Sequence, residues 1–260
     1  DTAPLAAAIA RGEIDPATIV AAPGTQALIQ LLPRLLPKSR VAVVGPTYEE
    51  HEVCWRRQGH EVIAFAPGIA ADVVVAVNPN NPTGTLTPPP TGSRLTVVDE
   101  AFIDFLPQAA SLAPQLPPGT IVLRSFGKTY GLAGVRLGFA IAEPMLAERL
   151  RQELGPWAVS GPALEIGTRA LGDDAWLKQA GERLTADGKR LDALLASAGF
   201  TILGGTPLFR LARHDNAPGM VQHLALHGIH VRSFFLAPDR LRFGLPAGDD
   251  AFTRLERALL

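Results

Sequence analysis

Val73-Val74-Val75-Ala76-Val77 carries no polar residue on either face, and Asn78-Pro79-Asn80-Asn81-Pro82-Thr83-Gly84 follows it directly. A strand that is apolar on both sides must be covered on both sides, as in a parallel sheet between two layers of helices. Working outward, the same texture recurs. Arg40–Val44 and Glu61–Phe65 lie upstream; Leu95–Val98 and Ile121–Ser125 lie downstream, short and β-branched, and Leu137–Ile141 follows after a glycine-rich turn. Helical stretches alternate with them: Thr25–Leu36, opened by Pro23-Gly24, and Tyr48–Gly59. This alternation predicts an α/β domain with a mostly parallel sheet flanked by helices. Functional groups in such folds gather beyond the carboxyl ends of the strands, where the polar residues of this chain fall.

The pattern changes beyond about residue 155. Pro156 and Pro162 bracket a joint, Ala163–Leu171 reads as a short helix and Ala175–Ala198 as a long amphipathic one. Phe200–Leu203, Pro207–Leu211 and Leu241–Gly244 read as strands around a helix at Gly219–His227, with a last helix after them. The expected organisation is a remnant of an N-terminal region over 1–19, a large α/β domain over 20–160, and interdomain helices with a smaller α+β domain over 161–260. Asp1 is not an initiator, so an N-terminal portion is expected to be absent. The connection from Val77 to the strand ending at Asp99 is short and contains Pro88-Pro89-Pro90. A parallel crossover normally takes a dozen or more residues, usually with a helix. Either this pair is joined unusually or residues are absent, and absence is the expectation.

Composition narrows the function classes. Twenty-four Lys+Arg against 25 Asp+Glu leave a formal charge of -1, and no basic run of the kind that binds nucleic acid occurs. The single cysteine, Cys54, excludes a disulfide framework and a thiolate metal site, and fits a reducing compartment such as the cytoplasm. No apolar stretch approaches the length of a membrane span. His51, His60, His214, His223, His227 and His230 form no compact metal-ligand pattern, so no metal is expected.

Four segments stand out. Asn78–Gly84 is by itself a Pro/Asn turn after a buried strand. Val97-Val98-Asp99-Glu100-Ala101-Phe102 places a carboxylate at a strand mouth, costly unless paired; a cationic ring nitrogen would suit it. Ser125-Phe126-Gly127-Lys128-Thr129-Tyr130-Gly131-Leu132-Ala133-Gly134-Val135-Arg136-Leu137-Gly138 sets a lysine on a glycine-bounded turn, with an arginine eight residues later. Arg240-Leu241-Arg242-Phe243-Gly244 places Arg242 in a short apolar strand, where its charge needs an anion.

Together these segments resemble the fold type I pyridoxal-phosphate enzymes of the class I/II aminotransferase superfamily, and the resemblance covers essentially the whole chain. Asp99-Glu100-Ala101-Phe102-Ile103-Asp104-Phe105 and Val231-Arg232-Ser233-Phe234 narrow it to the threonine-phosphate decarboxylases of cobalamin biosynthesis, a branch close to the histidinol-phosphate aminotransferases. The resemblance implies pyridoxal 5'-phosphate as cofactor, a small phosphorylated amino acid as substrate, and a homodimer with shared active sites. It assigns Lys128 to covalent attachment of the cofactor and to proton transfer at the reacting carbon. Asp99 pairs with the ring nitrogen, Asn81 serves the phenolic oxygen and touches substrate, and Tyr48 stacks on the ring. Gly24, Thr25, Gln26, Ser125 and Arg136 form the phosphate cradle, where a helix start and a guanidinium favour an anion. Arg242 clamps the substrate carboxylate. Arg232, and by the same reasoning Arg210, are candidate contacts for the substrate phosphate.

Phe102 is the informative departure, since many relatives carry a tyrosine there and phenylalanine cannot donate a hydrogen bond. That favours decarboxylation of L-threonine O-3-phosphate over histidinol-phosphate transamination, which stays open as the alternative. A cofactor-binding regulatory domain without turnover is the reading from another class, and the intact Lys128, Asp99 and Arg136 set speaks against it.

Overall fold

The computed structural model describes residues 2, 14–90, 92–107 and 110–260; most of the N-terminal remnant expected over 1–19 lies outside the described residues. Two compact units divide the chain: Asp1–Asn81 with Leu86–Asp174, and Pro82–Thr85 with Ala175–Leu260.

In the first unit the described elements run β1 (Ile19–Ala22), α1 (Thr25–Leu31), β2 (Arg40–Val43), α2 (Glu49–Arg57), β3 (Glu61–Ala64), β4 (Val73–Val77), β5 (Leu95–Asp99), β6 (Thr120–Ser125), α3 (Phe126–Thr129), β7 (Gly138–Ala142), α4 (Pro144–Leu154) and α5 (Gly161–Leu171). The strands form one sheet in the order β1-β7-β6-β5-β4-β2-β3. Pairs β2–β3, β2–β4, β4–β5 and β5–β6 are parallel, while β7 runs antiparallel to both β6 and β1. The mostly parallel sheet flanked by helices is therefore present, with β7 as its one reversed strand among those described.

Every residue of β4 and β5 is buried, which explains the unbroken apolar run of β4. Alternate residues serve opposite faces. Ile121 and Leu123 of β6 pack with Leu28, Leu32 and Trp55 on one side, and Val122 packs with Phe126, Phe139 and Leu171 on the other. The helix expected over Thr25–Leu36 is α-helical only to Leu31 and continues as a 3₁₀ turn over Leu32–Leu35. Pro33 explains the change, because it lacks the N–H that the next α-helical bond needs. Strands β4 and β5 are parallel neighbours, and among the described residues of 78–94 no helix intervenes. An extended chain covers roughly 3.3 Å per residue, enough for this segment to return along a strand of five residues.

The second unit contains α6 (Asp174–Ser197, its first residue in the first unit), β8 (Thr201–Thr206), β9 (Phe209–Arg213), α7 (Ala217–Leu226), β10 (Arg232–Ser233), β11 (Arg240–Gly244) and α8 (Asp249–Leu259). Its strands order as β10-β11-β9-β8, all antiparallel. Leu191, Phe200, Phe243 and Phe252 fill its core. Residues 82–85 belong here because Gly84 lies so close to β8 that a Cβ would reach 2.0 Å from the Gly205 carbonyl oxygen.

Candidate active site

The ends of the parallel strands bring most of the candidates together within the first unit. Asp99 closes β5 and is 3% exposed. One carboxylate oxygen lies 3.0 Å from His51 Nε2, and the other accepts the Ala101 N–H at 3.0 Å. His51, 1% exposed on α2, is a residue to which the sequence assigned no role. Its signal was faint: it sits three positions after Tyr48, one turn into the helix that follows the β2 loop. Tyr48 meets the His51 ring edge-on at 6.1 Å, and its hydroxyl donates to Gln26 Oε1 at 3.2 Å. Gln26 Nε2 in turn donates to Glu50 at 2.6 Å. A side-chain chain thus links Asp99, through α2, to the start of α1.

That helix start is tightly built. Gly24 precedes Thr25 with φ 85°, in a region that residues with a Cβ avoid. A Cβ on Gly24 would fall 2.6 Å from Arg136 Nη2, so the guanidinium lies close against the glycine. Arg136 is held there by its own φ of 54° and by Nη1 donating to the Ala133 carbonyl at 3.0 Å. Gly138, opening β7, lies so near α1 that a Cβ would be 2.5 Å from the Thr25 nitrogen. Gly138 is the register partner of Ser125, the last residue of β6. Gly24, Thr25, Gln26, Ser125 and Arg136 therefore share one neighbourhood at the start of α1, where helix N–H groups favour an anion.

Lys128 follows Ser125 on α3, with its ammonium 5.7 Å from the centroid of the Phe102 ring, a cation–π distance. Phe102 is buried three residues beyond Asp99. Asn81, half-buried, follows the cis Asn78–Pro79 bond beyond β4. Thr47, before Tyr48, has a buried hydroxyl oxygen with no hydrogen-bond partner, and the sequence reading passed it over.

The remaining candidates lie in the second unit. Arg232 and Arg242 are register partners across β10 and β11. Burial, and then the neighbouring Arg232, push the Arg242 guanidinium below its ordinary range. Two cations set side by side favour an anion between them. Arg210 is engaged inside the second unit: its Nε donates to Asp192 at 2.6 Å and its Nη1 to the Thr206 carbonyl at 2.5 Å. The first of those bonds ties β9 to α6 and the second ties it to β8, and a sequence cannot reveal a partner as distant as Asp192. Burial pushes the Cys54 thiol up, which disfavours a reactive thiolate. Among the described residues no cluster of three His, Cys, Asp or Glu side chains could hold a metal, and no helix is long and apolar enough to cross a membrane.

A sequence model described as aminotransferase class I and II matches residues 3–255. Threonine-phosphate decarboxylase of Pseudomonas aeruginosa is 42% identical over 255 residues, covering 91% of this chain and 76% of the relative. A threonine-phosphate decarboxylase from a Sinorhizobium species is 43% identical over 258 residues, covering 90% and 77%. Among solved structures, histidinol-phosphate aminotransferase from Sinorhizobium meliloti, crystallised in complex with pyridoxal-5'-phosphate, superposes with a TM-score of 0.85 over 98% of this chain and 79% of its own, at 24% identity. At that identity the likeness bears on the fold.

Proposed function

We propose, from the premise that this chain belongs to the aminotransferase class I and II family, that it is a pyridoxal 5'-phosphate enzyme decarboxylating L-threonine O-3-phosphate to (R)-1-aminopropan-2-yl phosphate and CO2. The observation that carries this reading is identity of 42% and 43%, over nine-tenths of the chain, to two threonine-phosphate decarboxylases.

The residues of the first unit fit such a cofactor. Gly24 and Gly138 leave no room for a Cβ beside the α1 N-terminus and Arg136, the packing expected where backbone must approach a phosphate. Asp99 is a buried carboxylate already aimed by His51. When bound, the cofactor supplies an electron sink for a bond broken at Cα of an amino acid. The protein's part is then positioning and proton handling. The Thr25 and Gln26 N–H groups, the Ser125 hydroxyl and the Arg136 guanidinium hold the phosphate. Asp99 would hold a proton on the ring nitrogen, with His51 keeping the carboxylate from turning away. Tyr48 covers a ring face. Asn81 donates to the phenolic oxygen, where Phe102 cannot add a second donor. Lys128 would hold the cofactor's aldehyde carbon and would carry the proton exchanged at the substrate Cα. In the second unit, Arg242 receives the substrate carboxylate and Arg232 the phosphate. Two fixed anions would set the rotation about the substrate's Cα–N bond, and that rotation would select which Cα bond breaks.

The same proposal includes a homodimer with shared active sites and, on the single unpaired Cys54, residence in the cytoplasm. Mass spectrometry of an incubation with L-threonine O-3-phosphate tests the activity. Appearance of (R)-1-aminopropan-2-yl phosphate supports it. Unchanged substrate under saturating cofactor rejects it.

A further inference from the structure

Asp104 belongs to the Asp99–Phe105 stretch, yet no role given above uses it. Its carboxylate accepts from the Thr129 hydroxyl and from Arg124 Nη2. Arg124, on β6, also donates to Ser111 Oγ at 3.4 Å and lies 3.7 Å from Glu100. Glu100 is fully buried and accepts from Ser111 Oγ at 2.6 Å and from the Leu112 N–H at 2.8 Å. A connected polar network therefore runs from the end of β5 to Thr129, the neighbour of Lys128.

The turn it reaches is weak by itself. Helix α3 has four residues, and the Tyr130 N–H to the Phe126 carbonyl at 3.1 Å closes it. A single turn does not hold its shape unaided, since nucleating a helix is unfavourable. The direction of Lys128 is set by what grips its neighbours. Phe126 is buried and stacks on Tyr130 at 4.6 Å. Gly127 abuts Ala133, where a Cβ would come 2.9 Å from the Ala133 Cα. Both grips lie on the Lys128 flank that precedes it or folds back from beyond it. The Thr129 hydroxyl, bonded to a carboxylate, is a directional and charge-assisted grip on the following residue.

We propose that Asp104 is a positioning residue for Lys128, fixing the α3 turn through Thr129 while Arg124 and Glu100 hold the Asp104 carboxylate in place. This rests on Lys128 being the cofactor lysine. The test uses the full chain with bound pyridoxal phosphate. Thr129→Val keeps the shape and removes the donor; Thr129→Ser keeps the donor. Thr129→Val should lower kcat about 10- to 100-fold with KM little changed, the size of effect expected when a reacting group is slightly misplaced. It should also move the pH midpoint of the bound cofactor's absorbance, while Thr129→Ser restores both values. If Thr129→Val does not fold, Asp104→Asn carries the same two readouts. Wild-type kcat and spectral midpoint in the folded variant overturn the proposal, as does Thr129→Ser failing as badly as valine. Borohydride reduction of the wild type and peptide mapping test the premise separately. A label at Lys128 keeps it, and a label at another lysine removes it whatever the Thr129 variants do.

Discussion

Asp99 and Glu100 are adjacent carboxylates, both buried, in opposite circumstances. Asp99 is shared between His51 and the Ala101 N–H and is proposed to meet the cofactor ring. Asp99→Asn keeps the shape and removes the charge that would hold the ring nitrogen's proton. If that pairing is worth ~2–4 kcal/mol in the transition state, kcat measured at saturating cofactor should fall about 30- to 1000-fold. Near-normal turnover would remove Asp99 from its role. Burial pushes the Glu100 carboxyl above its ordinary range, against the opposing effect of the Leu112 N–H, Ser111 and Arg124. A carboxyl raised in the folded state binds its proton more tightly there than in the unfolded chain. Its contribution is therefore complete below the ordinary glutamate value and is lost as pH rises through the raised one. Glu100→Gln should flatten this part of the stability profile, seen as a smaller fall in Tm on raising pH from the acid side. An unchanged slope would show that Glu100 does not titrate in that window.

The start of α1 is where an element's placement decides chemistry. Leu28 and Ile29, fully packed on the sheet, seat the helix, and Gly24 and Gly138 let its first turn approach Arg136. Gly24→Ala meets both a forbidden φ and the Arg136 guanidinium, a strain of about 1–3 kcal/mol. It should weaken cofactor binding, read by spectral titration, more than it lowers Tm; unaltered cofactor affinity would place the phosphate elsewhere. Much of this architecture was legible in the sequence, because strands such as Val73–Val77 and the Ser125–Gly138 stretch declare their own surroundings. What escaped was whatever depends on distant partners. Pro33 cut α1 short, β7 reversed its direction through pairings with β6 and β1, and Arg210 found Asp192. His51 looked like any helix histidine until the fold brought Asp99 to it.

For the whole molecule, the parallel strand ends of the first unit gather Gly24, Tyr48, Asp99, Ser125, Lys128 and Arg136, while within the second unit Arg232 and Arg242 are register partners. In the proposed mechanism the first set would serve any reaction of the family, and the choice between losing CO2 and losing a proton would belong to the groups that hold the substrate. Phe102 would bear on the same choice, since on the proposed arrangement it leaves the phenolic oxygen to Asn81. Histidinol phosphate has no carboxylate for Arg242, whereas threonine phosphate offers both anions. The most direct test is continuous measurement of CO2 from L-threonine O-3-phosphate, with and without 2-oxoglutarate, beside a glutamate assay with histidinol phosphate. Steady CO2 release that needs no 2-oxo acid is the expected result. Glutamate formed from histidinol phosphate and 2-oxoglutarate, with no CO2 from threonine phosphate, would contradict the account.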